Sequence, residues 1–311
     1  MSIDVVMPAY NASKYIIEAL NSVVEQTFLP ARILVVDDGS SDNTVSLVSD
    51  FALRVKDKCE VLCIRQNNSG PSAARNVGLR MVNADYVALL DADDKWHASK
   101  LEKQLNSFLS AGRELGLVYC DFSLMNEEGR EVENHGFQLN RAVRGNVARQ
   151  LRYANQIAGS ASAVLIRKDV LDEIGLFDES LVCAEDWDLW LRIADRYHVD
   201  FVDEPLVQLR QHPRNSQNNE QRMLGGELRF AQKQFSSGRL PWINIVRLGF
   251  RIAQARRNGL QIAHYAECHF VLRFVWSPKV IWLQYQAIRG FKGIRRRLRE
   301  LRNGSKGAGN A

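Results

Sequence analysis

Three aspartates, Asp91, Asp93 and Asp94, stand together directly after the apolar run 86–90. The run shows no polar alternation, which is typical of a strand buried on both faces, so the acids should emerge at its C-terminal end. Ligands of open α/β sheets bind at that edge. Crowded carboxylates repel one another unless a cation lies between them, and hard oxygen ligands favour Mg²⁺ or Mn²⁺. A solvated acidic turn before the next helix is the alternative.

The chain before this cluster repeats a pattern of strand, polar loop and helix. Apolar runs at 3–7, 32–36 and 60–64 each end in a polar loop that is followed by helical periodicity. A repeat of roughly 25 to 30 residues predicts βαβ units with right-handed crossovers, and therefore an α/β fold with a mostly parallel sheet. After the cluster the pattern becomes less regular, with strands predicted at 117–122, 161–166 and 201–207.

Five motifs in the first two thirds of the chain resemble, in order and spacing, those of glycosyltransferase family 2, whose members have the GT-A fold. They are VVMPAYN at 5–11, VVDDGSSDNT at 35–44, NNSGPSAARNVG at 67–78, LLDADD at 89–94 and ED at 185–186. The resemblance covers about residues 3–216. It implies a Rossmann-like sheet flanked by helices, and inverting transfer of a sugar from a nucleotide diphosphosugar to an acceptor hydroxyl.

The resemblance also implies where the donor binds. In the family, the loop after the first strand and the acids after the second contact the nucleoside, and these positions correspond to Pro8, Tyr10, Asp37 and Asp38. Tyr10 offers a stacking face for a base, whereas a turn-forming or helix-capping role is the alternative for Asp37. Arg75, one turn into a predicted helix, can reach a phosphate with its fixed donor fork, or it forms a surface salt bridge.

A divalent cation and a general base complete the expected site. Asp93 and Asp91 are the candidates for holding Mn²⁺ or Mg²⁺, and His212 is added by resemblance to a late loop of the family, although a histidine after a strand is as often simply on the surface. By the same resemblance Asp186 is the base that deprotonates the acceptor, in the ionised state that is normal for Asp at neutral pH. Glu185 would orient or contact the acceptor. For both acids, a role in complementing a helix dipole is the alternative.

Other enzyme classes lack their signatures. The PAYNAS loop has no glycine, which argues against a dinucleotide-binding turn, and no P-loop motif is present. The Q-x-x-R-W signature of processive family members is also missing. A catalytically silent sugar-nucleotide-binding or scaffold protein on the same fold is the competing hypothesis. A UDP-sugar donor and a glycan or lipid-linked acceptor of bacterial-type surface polysaccharide or glycolipid assembly are expected.

The net charge of +5 hides a strong asymmetry. From residue 239 onward the chain has 15 Lys and Arg against 2 Asp and Glu, whereas residues 1–238 have 26 against 34. We therefore expect a catalytic domain at 1–238, a basic amphipathic helical extension at 239–302 and a disordered glycine-rich tail at 303–311.

The aromatic and aliphatic residues of the extension are interleaved with arginines, which suits a helix in an anionic membrane interface. Packing onto the catalytic domain or onto a second subunit of a homo-oligomer is the alternative. No nucleic-acid-binding motif accompanies the charge, so nucleic acid is not expected as a partner. With no signal peptide or long apolar segment recognised, we expect a cytoplasmic protein that can attach to the cytoplasmic face of a membrane.

Overall fold

A computed structural model describes residues 1–132, 142–157, 160–213, 215 and 219–238, together with 244 and 248. The chain divides into two compact units, Met1–Phe230 and Ala231–Ala311. The second unit is described mainly by the end of one helix and the turn that follows it. Most of the predicted basic extension and all of the predicted tail therefore lie outside the described residues. Within the described ranges, no helix is both long enough and apolar enough to cross a membrane.

The strands of the first unit join into one sheet. They are β1 (Ile3–Ala9), β2 (Arg32–Asp37), β3 (Glu60–Arg65), β4 (Tyr86–Leu89), β5 (Lys95–Trp96), β6 (Leu115–Met125), β7 (Glu131–Val132), β8 (Val164–Arg167) and β9 (His198–Arg210). The helices are α1 (Ile16–Val24), α2 (Thr44–Val55), α3 (Pro71–Met81), α4 (Lys100–Ser110), α5 (Ala148–Tyr153), α6 (Lys168–Ile174), α7 (Glu185–Ala194) and α8 (Glu220–Ser236), with a 3₁₀ turn at Ala161–Ala163.

The first half of the sheet is parallel, in the order β3-β2-β1-β4. Strands β1, β2 and β4 are buried almost throughout, as their continuous apolar runs predict. The register pairs Ala9 with Asp37 and Asp37 with Arg65, so the carboxyl ends of neighbouring strands meet at one edge. The polar loops that follow these strands consequently line the same edge of the sheet.

The second half of the sheet is mixed. Strand β8 runs antiparallel to β4 and to β6, β9 runs parallel to β6, and β5 pairs antiparallel with β9. The prediction of an α/β fold with flanking helices is confirmed, but beyond β4 the sheet is less parallel than the sequence pattern suggested. The physical reason is that β8 lies antiparallel between β4 and β6, and an alternation of strands and helices in the sequence does not reveal the direction of an inserted strand. As a result, the end of β9 returns to the loop that follows β4.

Helix α3 lies very close to the sheet because of Gly78. A Cβ atom at this position would stand 2.5 Å from Cγ1 of Val6 and 3.3 Å from Cγ2 of Val36. Arg75 lies three residues earlier and therefore on a neighbouring part of the same helix face. The close approach places Arg75 next to the carboxyl ends of the central strands.

Candidate active site

The acidic loop after β4 is fixed by its most buried member, Asp94, which is 5% exposed. One Asp94 carboxylate oxygen accepts from the Ser162 hydroxyl at 2.7 Å, and the other accepts from the Arg210 backbone N–H at 3.1 Å. Burial, with the neighbouring charges of Asp93 and Asp91, raises the pKa of Asp94 well above its ordinary value. Asp94 therefore shapes the loop, while the side chains of Asp91 and Asp93 remain partly exposed, at 25% and 29%.

Arg75 connects this loop to a second acidic segment. Its Nη2 donates to Oδ1 of Asp91 at 2.7 Å, and its Nη1 donates to Oε1 of Glu185 at 3.1 Å. The side chain is only 7% exposed, and its guanidinium lies 5.4 Å from the centre of the Phe177 ring. Burial opposes ionisation, but the Asp91 and Glu185 carboxylates outweigh it and raise the pKa of Arg75. Its Nε has no acceptor among the described residues.

The Glu185–Asp186 pair opens helix α7 after a residue in an uncommon conformation. Ala184 is left-handed, with φ 58°, which is strained for a residue with a Cβ and is a feature that clusters at functional sites. Oδ1 of Asp186 accepts from the Trp187 backbone N–H at 2.6 Å. Burial, followed by the charge of Glu185, raises the pKa of Asp186 to about 7. Asp186 would thus titrate near neutral pH, in contrast to the full ionisation expected from the sequence.

His212, a candidate cation ligand by resemblance, lies against the acidic loop. Its Nε2 is 2.9 Å from Oδ2 of Asp93, and its ring stacks on Tyr15 with the ring centres 5.2 Å apart. The mixed half of the sheet causes this contact, because β9 ends beside the loop that follows β4. His212 and Asp93 thus form a pair at the site.

The residues predicted to bind the nucleoside lie at the ends of β1 and β2 and in the loops that follow these strands. Tyr10 is 55% exposed and Pro8 is partly exposed, so both are accessible to a ligand. Asp37 is fully buried, accepts from the Ser40 backbone N–H at 3.2 Å and lies 3.3 Å from Nε of Arg65. These contacts match the alternative interpretation of Asp37 as a turn-forming residue.

Asp38 has a structural role that the sequence did not reveal. One of its oxygens accepts from Gln66 Nε2 at 2.7 Å and from the Ser69 backbone N–H at 2.8 Å. The other accepts from the Gly70 backbone N–H at 2.8 Å. Asp38 therefore holds the loop that leads into α3, and through that helix it supports Arg75.

The structure brings most of the predicted residues together, but they do not all contact one another. Asp91, Arg75 and Glu185 form one connected group, Asp186 adjoins it, and Asp93 pairs with His212. The contact of Arg75 with two carboxylates was not predicted, since a phosphate or a surface salt bridge was expected. Sequence reasoning also missed three supporting residues, Ser162, Arg210 and Tyr15. None of them lies in the predicted acidic clusters, and only the tertiary fold brings them to the site.

The side chains at the acidic loop offer only some of the ligands that a divalent cation needs. Among the described residues, no three His, Cys, Asp or Glu side chains are grouped as metal ligands. The Asp93 carboxylate and the His212 ring nitrogen are nevertheless adjacent, and the partly exposed Asp91 carboxylate belongs to the same loop. Oxygen and imidazole ligands suit Mn²⁺, and oxygen ligands suit Mg²⁺, which often takes its remaining ligands from substrate phosphates. The residues present therefore fit such an ion if a bound substrate supplies further ligands.

Comparison with known proteins identifies the family. The model of glycosyl transferase family 2 matches residues 4–175, which is more than half of the chain. The chain belongs to this family. An uncharacterised glycosyltransferase of Rickettsia typhi is 28% identical over 227 residues, which cover 70% of this chain and 66% of that protein. WfgD of Escherichia coli, a UDP-Glc:α-D-GlcNAc-diphosphoundecaprenol β-1,3-glucosyltransferase, is 30% identical over 205 residues, covering 65% of this chain and 73% of that enzyme.

Two solved structures confirm the GT-A fold predicted from the family resemblance. S. aureus TarS 1–349 in complex with UDP-GlcNAc matches with a TM-score of 0.60 and 20% identity, covering 88% of this chain and 81% of that one. The mannosyltransferase PcManGT of Pyrobaculum calidifontis, in complex with GDP-Man and Mn²⁺, also gives a TM-score of 0.60 and 20% identity, with coverage of 92% and 84%. At this identity the likeness establishes the fold alone.

The Asp186 pKa predicts that this site lowers the stability of the protein at alkaline pH. The pKa of Asp186 is raised from 3.8 to about 7 by folding, so the folded state binds more protons between these values and stability falls as pH rises through them. Asp186→Asn removes this loss. The variant should be more stable than wild type by about 1 kcal/mol or more at about pH 8, with the difference vanishing toward about pH 4.

Urea unfolding at several pH values measures this difference. The carboxylates of Glu185 and Asp91 and the guanidinium of Arg75 are the charges that act on Asp186. Asp203→Asn, at an exposed position of β9, is the matched control and should show no pH-dependent difference. Equal stability of the Asp186→Asn variant and wild type at every pH would contradict the raised pKa.

Asp38→Asn should destabilise the protein, because an amide nitrogen would face at least one of the three donors that the carboxylate now satisfies. The expected loss is about 1–3 kcal/mol, the usual cost of unsatisfied buried polar groups. Thermal unfolding measures it, with Asp57→Asn at an exposed position as the control. If both variants unfold at the wild-type temperature, Asp38 does not hold the loop.

Proposed function

We propose that this protein is an inverting glycosyltransferase that moves a sugar from a nucleotide diphosphosugar to an acceptor hydroxyl. The observation that carries the proposal is the position of Arg75 between two carboxylates, one after β4 and one at the start of α7. It joins a segment suited to the donor diphosphate to a segment suited to deprotonating the acceptor. Family membership supports the reaction class.

The donor would bind along the edge formed by the loops after β1, β2 and β4. Tyr10 and Pro8 are accessible for contact with the nucleoside. Asp37 and Asp38 are more buried, so they would mainly hold the loops that surround it. A UDP-sugar is the donor we favour, because the WfgD name specifies UDP-Glc and TarS was solved with UDP-GlcNAc.

Asp93, Asp91 and His212 are the residues that would hold Mn²⁺ or Mg²⁺ at the diphosphate. Bound there, the cation would act as a Lewis acid that stabilises the negative charge developing on the leaving diphosphate. The complex of PcManGT with GDP-Man and Mn²⁺ supports a divalent cation as part of the donor site. Arg75 would keep the Asp91 carboxylate oriented, since the guanidinium already donates to one of its oxygens.

Asp186 would act as the general base. The acceptor hydroxyl oxygen forms a bond to the anomeric carbon while the bond from that carbon to the diphosphate oxygen breaks, and the hydroxyl proton passes to Asp186. A pKa of about 7 suits this role, because a base is most effective when its pKa is close to the working pH. Glu185 raises this pKa and, held by Arg75, would also orient the acceptor.

The acceptor we favour is a glycan or a lipid-linked glycan of bacterial-type surface polysaccharide or glycolipid assembly. The WfgD name, which specifies a diphosphoundecaprenol-linked sugar, supports this class. Such an acceptor would be presented at the cytoplasmic face of a membrane, which fits the proposed domain plan of a catalytic region at 1–238 and a basic helical extension at 239–302. We therefore propose a cytoplasmic enzyme that attaches to the membrane through this extension.

Asp93→Ala should abolish both sugar transfer and metal-dependent binding of the donor, because the Asp93–His212 pair loses its carboxylate.

Asp186→Asn should instead leave donor binding close to wild type and reduce turnover by about 10²-fold or more, as expected when a general base is lost. Transfer from a panel of nucleotide sugars and calorimetric titration with the nucleotide, each with and without Mn²⁺, separate the two effects.

Two results would argue against the proposal. Full activity of Asp93→Ala at saturating Mn²⁺ and Mg²⁺ would remove the cation assignment. If wild type binds a nucleotide sugar but neither transfers nor hydrolyses it with any metal, the catalytically silent binding protein becomes the better description.

The membrane proposal predicts that the full-length protein co-sediments with anionic liposomes and that salt weakens the binding. Replacement of Arg295, Arg296 and Arg297 by Gln removes three positive charges and should reduce the bound fraction, since each basic residue near an anionic surface contributes about 1 kcal/mol. Replacement of three exposed basic residues of the catalytic region by Gln, at Lys56, Lys58 and Arg113, is the control for net charge. Equal sedimentation of all proteins with neutral and anionic liposomes would contradict attachment.

A further inference from the structure

Arg210, the last residue of β9, is a buried cation outside the acidic pair and the predicted metal ligands. It is 1% exposed. Its Nε donates to the backbone carbonyl of Asp93 at 2.9 Å, its Nη1 donates to the backbone carbonyl of Glu127 at 2.9 Å, and its Nη2 donates to Oε2 of Glu18 at 2.9 Å. One side chain thus joins the acidic loop after β4, the turn between β6 and β7, and helix α1.

Burying this guanidinium is costly, so its contacts require an explanation. Its carboxylate partner Glu18 is 46% exposed, which weakens the compensation that this ion pair can provide. The other N–H groups of Arg210 donate to the main-chain carbonyls of Asp93 and Glu127, which lie outside the paired strands. A planar fork with fixed geometry can satisfy several acceptors at once, which a lysine ammonium on a flexible stem cannot reproduce. The arrangement favours a role in holding these segments in one geometry.

Tyr15 extends this support to His212. The Arg210 guanidinium lies 4.7 Å from the centre of the Tyr15 ring, and the same ring stacks on the His212 ring at 5.2 Å with 24° between the planes. The Tyr15 hydroxyl donates to Oε1 of Glu127 at 2.9 Å. The Tyr15 ring is therefore held by Arg210 and His212, and its hydroxyl is held by the β6–β7 turn.

The contacts close a ring around the Asp93–His212 pair. Arg210 holds the main chain of Asp93, Tyr15 holds the plane of the His212 imidazole, and Arg210 and Tyr15 contact each other. The Asp93 carboxylate and the His212 ring nitrogen meet at 2.9 Å on the remaining side. Neither Arg210 nor Tyr15 is itself a candidate ligand of the cation.

We propose that Arg210 and Tyr15 are positioning residues that set the relative orientation of Asp93 and His212, and thereby the affinity of the site for its cation in the presence of a nucleotide diphosphate. The inference rests on the proposed function, since it assigns Asp93 and His212 to a divalent cation. Residues that orient metal ligands from behind typically affect metal affinity by about 10–100-fold when they are replaced.

The test measures Mn²⁺-dependent binding of UDP and of GDP by calorimetry, with free Mn²⁺ followed by electron paramagnetic resonance. Tyr15→Leu removes the ring that stacks on His212, and Arg210→Gln removes the guanidinium. Each should raise the Mn²⁺ concentration for half-maximal nucleotide binding by about tenfold or more. Tyr15→Phe retains the stacking ring and should restore most of the affinity, whereas a purely structural requirement for the hydroxyl would make it as weak as Tyr15→Leu.

Arg32→Gln is the matched structural control. Like Arg210, Arg32 combines a carboxylate partner, here the buried Asp4, with a main-chain carbonyl, that of Met81, but it lies at the opposite edge of the sheet. This variant should lose stability without changing the Mn²⁺ requirement. Thermal unfolding of every variant shows whether it is folded at the temperature of the titration, and if Arg210→Gln is not, Arg210→Lys and Tyr15→Leu test the proposal in its place.

The outcomes separate this inference from the function on which it rests. If nucleotide binding by wild type and by Asp93→Ala is alike with and without Mn²⁺, the cation assignment fails and the positioning role fails with it. If Asp93→Ala loses the Mn²⁺ dependence while folded Tyr15→Leu and Arg210 variants keep the wild-type Mn²⁺ requirement, only the positioning role is overturned. A raised Mn²⁺ requirement in these variants, with Arg32→Gln unchanged, supports it.

Discussion

The ion pairs of Arg75 with Asp91 and Glu185 are the interaction on which the site depends. Removing a guanidinium from water costs several kcal/mol, and this cost is recovered only when good hydrogen-bond geometry satisfies the charge. The two carboxylates lie on different segments of the chain. Asp91 follows the central strand β4, and Glu185 begins helix α7. Loss of either carboxylate would leave a buried charge partly uncompensated, so the two segments are energetically linked. Such a site must be assembled as a unit.

The change from a parallel to a mixed sheet makes this assembly possible. In the parallel half, three neighbouring strands deliver their loops to one edge. The antiparallel strand β8 then brings Ser162 to the acidic loop, and β9 ends at the same place from the other side of the sheet. Residues that are more than 100 positions apart in the chain, such as Asp93 and His212, therefore become neighbours.

Much of this organisation could be predicted from the sequence, because the information is local. Apolar runs that end in acids, as at 86–91, specify a buried strand and the edge at which its loop emerges. The family motifs in turn located Arg75 and the Glu185–Asp186 pair. The partners of these residues could not be predicted in the same way. That Arg75 faces two carboxylates follows from the path of the chain in space, on which periodicity and spacing carry no information.

The same limit applies to Asp38 and Asp186. For Asp38, the sequence indicates an acid after a strand, but the donors of 66–70 come to it only through the parallel pairing of β2 with β3. For Asp186, the side-chain type indicates an ionised carboxylate, whereas its pKa depends on burial and on the charge beside it. Properties that depend on the environment of a group, rather than on its identity, require the fold.

The close contact at Gly78 also determines how the site responds to change elsewhere in the core. Helix α3 rests on the methyl groups of Val6 and Val36, and β-branched side chains have few rotamers with which to adapt. The distance of Arg75 from the sheet is therefore set by side chains that can adapt little. An added methylene at Val6 would crowd the contact with α3 without altering any polar group, so the position of Arg75 depends on the volume of an apolar residue outside the acidic cluster.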